Sequence, residues 1–247
     1  MKVIKNILGR IAALWAMFWF VATMLLILPA VWIIGIKKEP NRTIAFIRIS
    51  RIWMGIFLPI AGVRLKIYGK AYFQKGKNYI VVCNHRSFMD VPVTSPGIPG
   101  ANKTIAKIEM TRIPLFGIIY KRGSVLVDRK SDESRKKSYN EMKNVLEMGL
   151  NMCIYPEGTR NKSKLPLKEF KDGAFRLAIE TGKPIIPAVI FNTSKVLPAN
   201  RLFFFWPGNI EMHFLPPIET SGMQLDDISK LRNTIFDQMQ QKILKGI

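Results

Sequence analysis

The chain contains the stretch YIVVCNHRSFMD (residues 79–90), in which an apolar segment runs directly into a polar one. Residues 79–83 form a short, β-branched apolar run that predicts a buried strand. His85, one of only two histidines in the chain, follows this strand, and Asp90 comes five positions later. A loop at the end of a buried strand has rigid support, and catalytic groups are commonly found in such loops.

His85 and Asp90 have the chemistry of a general base and its orienting carboxylate. A neutral imidazole can take a proton from an alcohol near pH 7, and a nearby carboxylate can fix its tautomer and stabilise the imidazolium. The spacing alone leaves an alternative, in which His85 is a hydrogen-bonded loop residue and Asp90 caps a helix. For that helix, Asp90 as the N-cap with Pro92 in the first turn is the favoured arrangement.

The net charge of +21 on a 28.2 kDa chain indicates an anionic partner: lipid headgroups, nucleic acid or a phosphorylated substrate. Residues 1–72 hold eleven basic residues and one acid, Glu39, interleaved with the most apolar part of the sequence. Basic residues beside apolar helices favour a membrane surface over nucleic acid. The length suits one large domain or one domain with an appendage.

Residues 11–36 contain no charged side chain over 26 positions. As a helix this run would be ~39 Å long at ~1.5 Å per residue, more than the ~30 Å hydrocarbon core of a bilayer. Trp15 and Trp32 lie near its ends, as an interfacial aromatic belt requires. This segment therefore predicts membrane attachment rather than a cleaved signal peptide or a buried globular helix.

Residues 43–58 predict a second, amphipathic helix. Arg48, Arg51 and Gly55 form a narrow polar stripe, and apolar side chains occupy the remaining surface. Such a helix is expected to lie in the interface with its arginines at the lipid phosphates. Positive charge flanks the first apolar run on both sides, so the charge pattern leaves two topologies open, a hairpin in one leaflet or a spanning helix.

After Gly62 short strands alternate with helices, which predicts an α/β fold, a largely parallel sheet flanked by helices. We expect residues 1–62 to form a membrane-anchoring helical hairpin and residues 63–247 an α/β domain. The predicted strands are 64–68, 79–83, 104–107, 124–127, 151–155, 185–191 and 210–214, and the predicted helices are 132–148, 173–180 and 225–244.

The two cysteines, Cys83 and Cys153, fall within predicted strands and are expected to be reduced, buried thiols of a cytosol-facing protein, neighbours if the strands share one sheet. His213 alternates within a late strand and is expected to be structural. No cluster of histidine, cysteine and carboxylate residues has the spacing of metal ligands, so no metal is expected.

Further motifs place polar residues where a predicted strand passes into a loop, and ligands gather at the carboxyl ends of parallel strands. They are GSVLVDR (residues 123–129), YPEGTR (residues 155–160) and Lys107. An arginine at a strand end beside a glycine can present its planar guanidinium to a phosphate. The alternative is that each arginine is paired with a neighbouring carboxylate: Arg129 with Asp128 or Asp132, and Arg160 with Glu157.

The order NHRSFMD, GSVLVDR, YPEGTR and then Ile186-Pro187-Ala188-Val189 resembles the glycerolipid acyltransferase family, specifically 1-acylglycerol-3-phosphate acyltransferases. The resemblance covers about residues 60–220, and the basic, apolar N-terminus resembles the membrane-docking helices of that family. The first and third motifs together are highly specific, whereas the short fourth motif carries no weight alone.

The resemblance implies that His85 is the general base and that Asp90 orients it. It implies transfer of an acyl group from acyl-CoA or acyl-carrier protein to the sn-2 hydroxyl of 1-acylglycerol 3-phosphate, giving phosphatidic acid at the cytoplasmic face of the inner or plasma membrane. No cofactor beyond the acyl donor is implied. The implied acceptor-binding residues are Lys107, Gly123, Arg129, Glu157, Gly158, Thr159, Arg160 and Lys171, with Pro187 in the pocket wall.

Several alternatives stay open at the level of sequence. Another lysolipid, such as a lysophospholipid or a lyso-ornithine lipid, is the chief competing acceptor. An esterase that uses His85 to activate water would leave the arginines without a role. Outside the enzymes, the charge permits a basic membrane scaffold. The sequence carries no recognisable signature of a nucleic-acid-binding protein. Acyl-chain length, acyl donor and oligomeric state do not follow from the sequence.

Overall fold

Seven strands and eight α-helices make up the computed structural model, which describes residues 2–246. The strands are β1 Val63–Tyr68, β2 Ile80–Cys83, β3 Asn102–Lys107, β4 Ser124–Val127, β5 Asn151–Ile154, β6 Ile185–Phe191 and β7 Gly208–Phe214. The helices are α1 Lys2–Ile33, α2 Asn41–Ile60, α3 Asp90–Gly97, α4 Phe116–Arg122, α5 Asp132–Glu147, α6 Gly173–Thr181, α7 Thr193–Val196 and α8 Ile228–Lys245.

All seven strands join one sheet in the order β1-β7-β6-β2-β5-β3-β4. The five strands from β6 to β4 are mutually parallel, while β7 is antiparallel to β6 and β1 is parallel to β7. The predicted mixed, largely parallel α/β fold is confirmed. Strand β2 lies in the middle of the sheet, so its carboxyl end is surrounded by the ends of neighbouring parallel strands.

The sheet separates two apolar cores because successive side chains of a strand point to opposite faces. Val81 and Cys83 face the core beneath α1, α2 and α3, whereas Ile80 and Val82 face the core beneath α5, α6 and α8. The Cys83 and Cys153 sulfurs lie 3.9 Å apart and fully buried, as expected for neighbouring reduced thiols.

Helix α2 lies between α1 and the sheet. The helical run Lys2–Ile36 and α2 are both long and apolar enough to cross a membrane. They differ in burial: 17% of the most apolar part of the first helix is buried, compared with 44% for α2. Trp53 of α2 donates a hydrogen bond to the Thr23 hydroxyl of α1 at 2.9 Å. The apolar face of α1 that turns away from α2 is exposed, whereas α2 shares the core of the α/β domain.

The expected role of Arg51 at lipid phosphates is wrong. Its guanidinium donates to the main-chain carbonyls of Pro96, Ile98 and Gly100 at 2.8–3.1 Å. These carbonyls belong to the last turn of α3 and to the residues that follow it, where the helix itself supplies no donor. Arg51 therefore attaches α2 to the end of α3.

A second ionic contact fixes the turn between α1 and α2. Glu39 accepts hydrogen bonds from Thr43 and Arg42 and pairs with the buried Lys103 of β3 at 2.9 Å. Burial raises the pKa of Glu39, but Lys103, Thr43 and Arg42 together lower that pKa to about 2. The hairpin turn is thus attached to the sheet by a charged carboxylate.

One local prediction needs correction, two short helices were not predicted, and the expectation for His213 is confirmed. Asp90 is the first residue of α3 rather than its N-cap, and its carboxylate points back to the preceding loop. Helices α4 and α7 are absent from the predictions because their seven and four residues are too few to show a helical period. His213 is structural as expected, since it hydrogen-bonds Glu211 at 3.0 Å and stacks on Tyr68.

Candidate active site

The backbone of His85 is held on both sides just beyond the end of β2. Its N–H donates to Glu157 Oε1 at 2.7 Å, and its carbonyl accepts from the Asn161 N–H at 2.6 Å. The preceding Asn84 is buried and exchanges two hydrogen bonds with the backbone of Ile190, at 2.7 and 3.0 Å. These contacts join β2, β5 and β6 where the sheet ends, and they give the histidine a rigid support.

The imidazole of His85 is oriented by Asp90. Nδ1 lies 2.8 Å from Asp90 Oδ2, and the ring stacks on Tyr155 with centroids 4.3 Å apart. Because a carboxylate only accepts, the Nδ1 proton is assigned to the Asp90 side, which leaves Nε2 with a free lone pair. Nε2 makes no hydrogen bond to any of residues 2–246, and the side chain is 18% exposed. The free nitrogen can therefore accept a proton from a bound molecule.

Asp90 is itself held in place. Its side chain is 1% exposed, and Oδ2 also accepts from the backbone N–H groups of Arg86 at 2.7 Å and Ser87 at 2.8 Å. Three donors on one oxygen define the orientation of the carboxylate. Ser87 is fully buried with its hydroxyl donated to the Leu197 carbonyl, so it is not placed as a nucleophile.

Tyr155 forms a buried floor under the imidazole. Its hydroxyl is 2.7 Å from the Thr94 hydroxyl of α3, and burial raises its pKa, with Cys153 and Cys83 adding to the effect. A neutral phenol that is packed and hydrogen-bonded fixes the plane of the ring that it supports. Tyr155 thus connects β5 and α3 with residues 84–89, the loop that carries His85, here called the catalytic loop.

Glu157, predicted among the acceptor-binding residues, lies buried beneath His85 with its carboxylate engaged by backbone. It is 3% exposed, and both carboxylate oxygens accept from backbone, Oε1 from His85 N and Oε2 from Lys168 N at 3.0 Å. The pKa of Glu157 is raised, because the effect of burial outweighs the opposite effect of these two backbone donors. The carboxylate positions the catalytic loop from below.

Cationic side chains gather around the turn that follows β5. Arg129 donates from its guanidinium to the Gly158 carbonyl, and Lys168 Nζ donates to the Thr159 hydroxyl at 2.8 Å. The Arg160 guanidinium lies over the ring of Phe88, 3.5 Å from its centroid. Arg129, Arg160 and Lys168 form a positively charged surface beside His85, here called the cationic rim. Such a surface is suited to a phosphate.

The ion pairs that the sequence left open as the alternative for the two arginines do not form. Asp132 is paired with Arg135 instead of Arg129, and the Glu157 oxygens are occupied by backbone. Within residues 2–246 neither Arg129 nor Arg160 has a carboxylate partner. Their charges are thus available to an anionic ligand.

The predicted residues Lys107 and Lys171 differ in their surroundings. Lys107, at the carboxyl end of β3, pairs with Glu109 at 2.9 Å and is half exposed, so its charge is partly offset. Lys171 is close to the turn, since its backbone N–H donates to the Pro156 carbonyl at 2.8 Å and its side chain passes Gly158. Lys171 belongs to the cationic rim, and Lys107 lies at the same side of the sheet, where the parallel strands have their carboxyl ends.

Gly123 precedes the amino end of β4 and is not brought together with His85, so its contact with the acceptor stays a prediction. The register places Ser124 level with Val81, through the pairs of β4 with β3, β3 with β5 and β5 with β2. His85 is then about five residues further along, or ~16 Å at ~3.3 Å per residue. Gly123 instead makes room for Phe46 of α2, since a Cβ there would lie 2.5 Å from that ring.

The predictions missed three residues that organise the site. Lys168 joins the cationic rim, Asn161 holds the His85 carbonyl, and Arg86 donates to the carbonyls of Ser163, Leu165 and Pro166. Arg86 thereby attaches the basic segment that follows the turn to the catalytic loop. Its position inside the motif was the one available signal, because loop contacts leave no period in a sequence.

The arrangement pairs an oriented imidazole with an electropositive rim. Among residues 2–246 no group of three or more histidine, cysteine or acidic residues could hold a metal ion. The side chains present are those needed to take a proton from a hydroxyl while a neighbouring anion is bound.

A family model described as "Acyltransferase" matches residues 64–191. The 1-acyl-sn-glycerol-3-phosphate acyltransferase of Haemophilus influenzae is 30% identical over 197 residues, which cover 77% of this chain and 79% of the relative. The Escherichia coli enzyme of the same name is 30% identical, with 76% of each chain covered. The human enzyme, 1-acyl-sn-glycerol-3-phosphate acyltransferase alpha, is 28% identical, covering 85% of this chain and 74% of its own.

The fold also matches a solved structure. The crystal structure of the 1-acyl-sn-glycerophosphate acyltransferase PlsC from Thermotoga maritima superposes with a TM-score of 0.81 at 22% sequence identity. The match covers 100% of this chain and 99% of that chain, so the likeness includes the two N-terminal helices as well as the sheet.

Proposed function

The chain belongs to the family of 1-acyl-sn-glycerol-3-phosphate acyltransferases, and from this premise we propose the reaction and the roles of its residues. The enzyme transfers a fatty acyl group from a thioester to the sn-2 hydroxyl of 1-acylglycerol 3-phosphate, giving phosphatidic acid. The observation that carries this proposal is the Asp90–His85 hydrogen bond, which leaves Nε2 free at the edge of the sheet beside the cationic rim.

Transfer proceeds in one step without an acyl-enzyme. His85 Nε2 takes the proton of the sn-2 hydroxyl as the oxygen attacks the thioester carbonyl. The new C–O bond forms, the C–S bond breaks, and the proton on the imidazolium passes to the leaving thiolate. Asp90 stabilises the imidazolium while it carries this proton. The buried, hydrogen-bonded Ser87 supports the absence of a serine nucleophile.

The cationic rim binds the phosphate of the acceptor. Arg160 offers a planar guanidinium that is already immobilised on Phe88, so little side-chain entropy is lost on binding. Lys168 and Arg129 flank the same turn. A phosphate held there brings the glycerol backbone within reach of the imidazole, and orientation of this kind can supply a large part of a rate enhancement.

The acyl donor is acyl-CoA or acyl-carrier protein. Both carry a thioester, so both present the carbonyl that the mechanism needs, and the net charge of +21 attracts either anionic donor. The donor enters as a co-substrate, and no further cofactor takes part.

The two N-terminal helices associate the enzyme with the membrane that contains the acceptor, and we place it on the cytoplasmic face. The helical run Lys2–Ile36 contacts the α/β domain near both ends. The Phe205 N–H donates to the Gly9 carbonyl at 3.0 Å, and Arg122 packs against Gly35. A helix fixed to one domain at both ends supports the hairpin in one leaflet over a spanning helix. Arg48 and Arg64 remain exposed for headgroups.

The proposal is tested by assaying the purified protein with several lysolipids and both thioester donors. Rapid, phosphate-dependent acylation of 1-acylglycerol 3-phosphate supports it, whereas preference for a lysolipid without a terminal phosphate monoester contradicts the assigned acceptor. Thioester turnover that is equal with and without lysolipid would instead identify a hydrolase.

A further inference from the structure

The loop that joins α7 to β7 ends in the sequence RLFFFW (residues 201–206), here called the aromatic loop. At its tip Leu202 is 92% exposed and Phe203 is 59% exposed, whereas Phe204 and Phe205 are buried. Two adjacent large apolar side chains at such exposure are costly in water and mark a surface that is covered in use.

The aromatic loop is held firmly against the beginning of α1. The Phe205 N–H donates to the Gly9 carbonyl at 3.0 Å, and the Phe204 ring packs so closely on Gly9 that a Cβ there would lie 2.1 Å from it. Only glycine leaves room for this contact. The loop and the first turns of α1 therefore form one rigid unit, although about 195 residues separate them in sequence.

Arg201 and Trp206 secure the two ends of the loop. Arg201 donates to Asn6 Oδ1 at 2.9 Å and lies over the Phe204 ring, 3.8 Å from its centroid. The Trp206 N–H donates to the Val196 carbonyl at 2.8 Å. The tip is thus fixed in place with its apolar side chains outward, and Phe203 keeps a left-handed backbone (φ 50°) that is unfavourable for a bulky residue.

The tip continues the exposed apolar surface of α1. In the part of α1 that holds the loop, the exposed apolar residues include Val3 at 72%, Ile4 at 62% and Ile7 at 54%. Basic residues border this surface, since Lys5 lies 4.9 Å above the Trp206 ring and Arg10 is exposed. An apolar surface bordered by tryptophan and basic residues matches the boundary between acyl chains and anionic headgroups.

We propose that the aromatic loop inserts Leu202 and Phe203 into the phospholipid bilayer beside α1, as a membrane contact supplied by the α/β domain itself. Insertion at this point fixes the rotation of α1 about its axis, because the Phe205–Gly9 hydrogen bond ties one orientation of the helix to the depth of the tip. The loop therefore sets how the domain sits on the bilayer.

The test places an environment-sensitive nitrobenzoxadiazole label at the tip. Cys83 and Cys153 are fully buried, so the label reacts at the introduced thiol in Leu202→Cys. Leu225→Cys is the matched control, since Leu225 is 50% exposed just before α8, on the opposite face of the sheet. Phe203→Cys is a second tip variant in case the first does not fold. The full-length protein is reconstituted into phosphatidylethanolamine–phosphatidylglycerol vesicles, with and without lipids spin-labelled in the acyl chain.

We expect blue-shifted emission at the tip and several-fold stronger quenching by spin-labelled lipid than at position 225. Equal quenching at the two positions overturns the proposal. A blue shift that depends on protein concentration but not on spin-labelled lipid also overturns it, because a second copy of the chain would then cover the tip. The readout is independent of activity, so failure here and failure of the proposed reaction are distinguishable.

Discussion

Glu157 and His85 belong to different sequence motifs but are joined by a 2.7 Å hydrogen bond from the histidine backbone to the buried carboxylate. The other oxygen of Glu157 binds the backbone of Lys168, which carries part of the cationic rim. One carboxylate therefore sets the position of the base relative to the residues that bind the phosphate. The motif YPEGTR serves the geometry of the site as well as its charge.

Replacement of Glu157 by glutamine is expected to lower kcat/KM by about ten- to a hundredfold, because small displacements of a catalytic group are costly. Glutamine keeps one acceptor oxygen, so one of the two backbone N–H groups would face an amide that cannot accept its hydrogen bond. Steady-state kinetics measure the change. Glu169→Gln is the matched control, since Glu169 is exposed on the same segment, and equal kinetics in the two variants would contradict the role of Glu157.

Arg160→Ala is expected to raise the apparent KM for a phosphate-bearing acceptor by about tenfold or more, since it removes a charge-assisted contact. Arg160→Lys should recover part of the loss, because the charge remains while stacking on Phe88 weakens. Arg176→Ala serves as the control, because Arg176 is an exposed arginine of α6. A fall in kcat alone would show that Arg160 acts on the transition state or on structure instead.

Gly123→Ala tests the position of that residue away from the site. The new methyl would lie 2.5 Å from the Phe46 ring, and overpacking of this kind costs about 1–3 kcal/mol. We expect a melting temperature lower by several degrees with KM unchanged, and recovery in Gly123→Ala/Phe46→Leu. Gly173→Ala, where a Cβ meets nothing within 4 Å, is the control for thermal unfolding. An increased KM at unchanged stability would return Gly123 to the binding site.

Glu39 makes the stability of the hairpin turn dependent on pH. Its pKa falls from 4.5 to about 2 on folding. Burial alone would raise this pKa, but Lys103, together with Thr43 and Arg42, lowers it by more. A lowered carboxyl pKa stabilises the folded state above the unfolded value, and this stabilisation is lost as the pH falls toward the folded value. Wild type should therefore melt at a higher temperature than Glu39→Gln at pH 6, with the difference shrinking between pH 4.5 and about 2.

Thermal unfolding in detergent across that range measures the difference between the two proteins. Glu219→Gln, at an exposed position, should follow wild type throughout. A difference between wild type and Glu39→Gln that stays constant with pH would contradict the ionic attachment of the turn to β3.

The sequence predicts the sheet well and the site in part, for physical reasons that differ between residues. Strand β2 is recognisable because its buried, β-branched run is short and is followed at once by polar residues. His85 and Asp90 are found because imidazole is rare in this chain. The surroundings of Glu157 and Gly123 were not predictable, because a motif records which residues occur together and does not record which way a carboxylate points or how the strands are arranged in the sheet.

Arg51 and Arg86 are two further residues whose contacts could not be predicted from the sequence. Each binds three backbone carbonyls distant in sequence, and nothing in the pattern of charges identifies those partners. From the sequence alone, an arginine on the polar stripe of an amphipathic helix is predicted to bind lipid headgroups, because its tertiary neighbours are not known. Contacts between loops depend on the assembled sheet, so they follow from the fold and not from local periodicity.

The central claim is that His85 Nε2 is the base that activates the acceptor hydroxyl. The most direct measurement is the acyl-transfer rate of purified His85→Ala with 1-acylglycerol 3-phosphate and a thioester donor, beside His213→Ala as the control at the other histidine. We predict that His85→Ala loses about 10²–10⁴-fold in kcat while membrane association and thermal stability stay close to wild type. Near-full activity in His85→Ala would contradict the account.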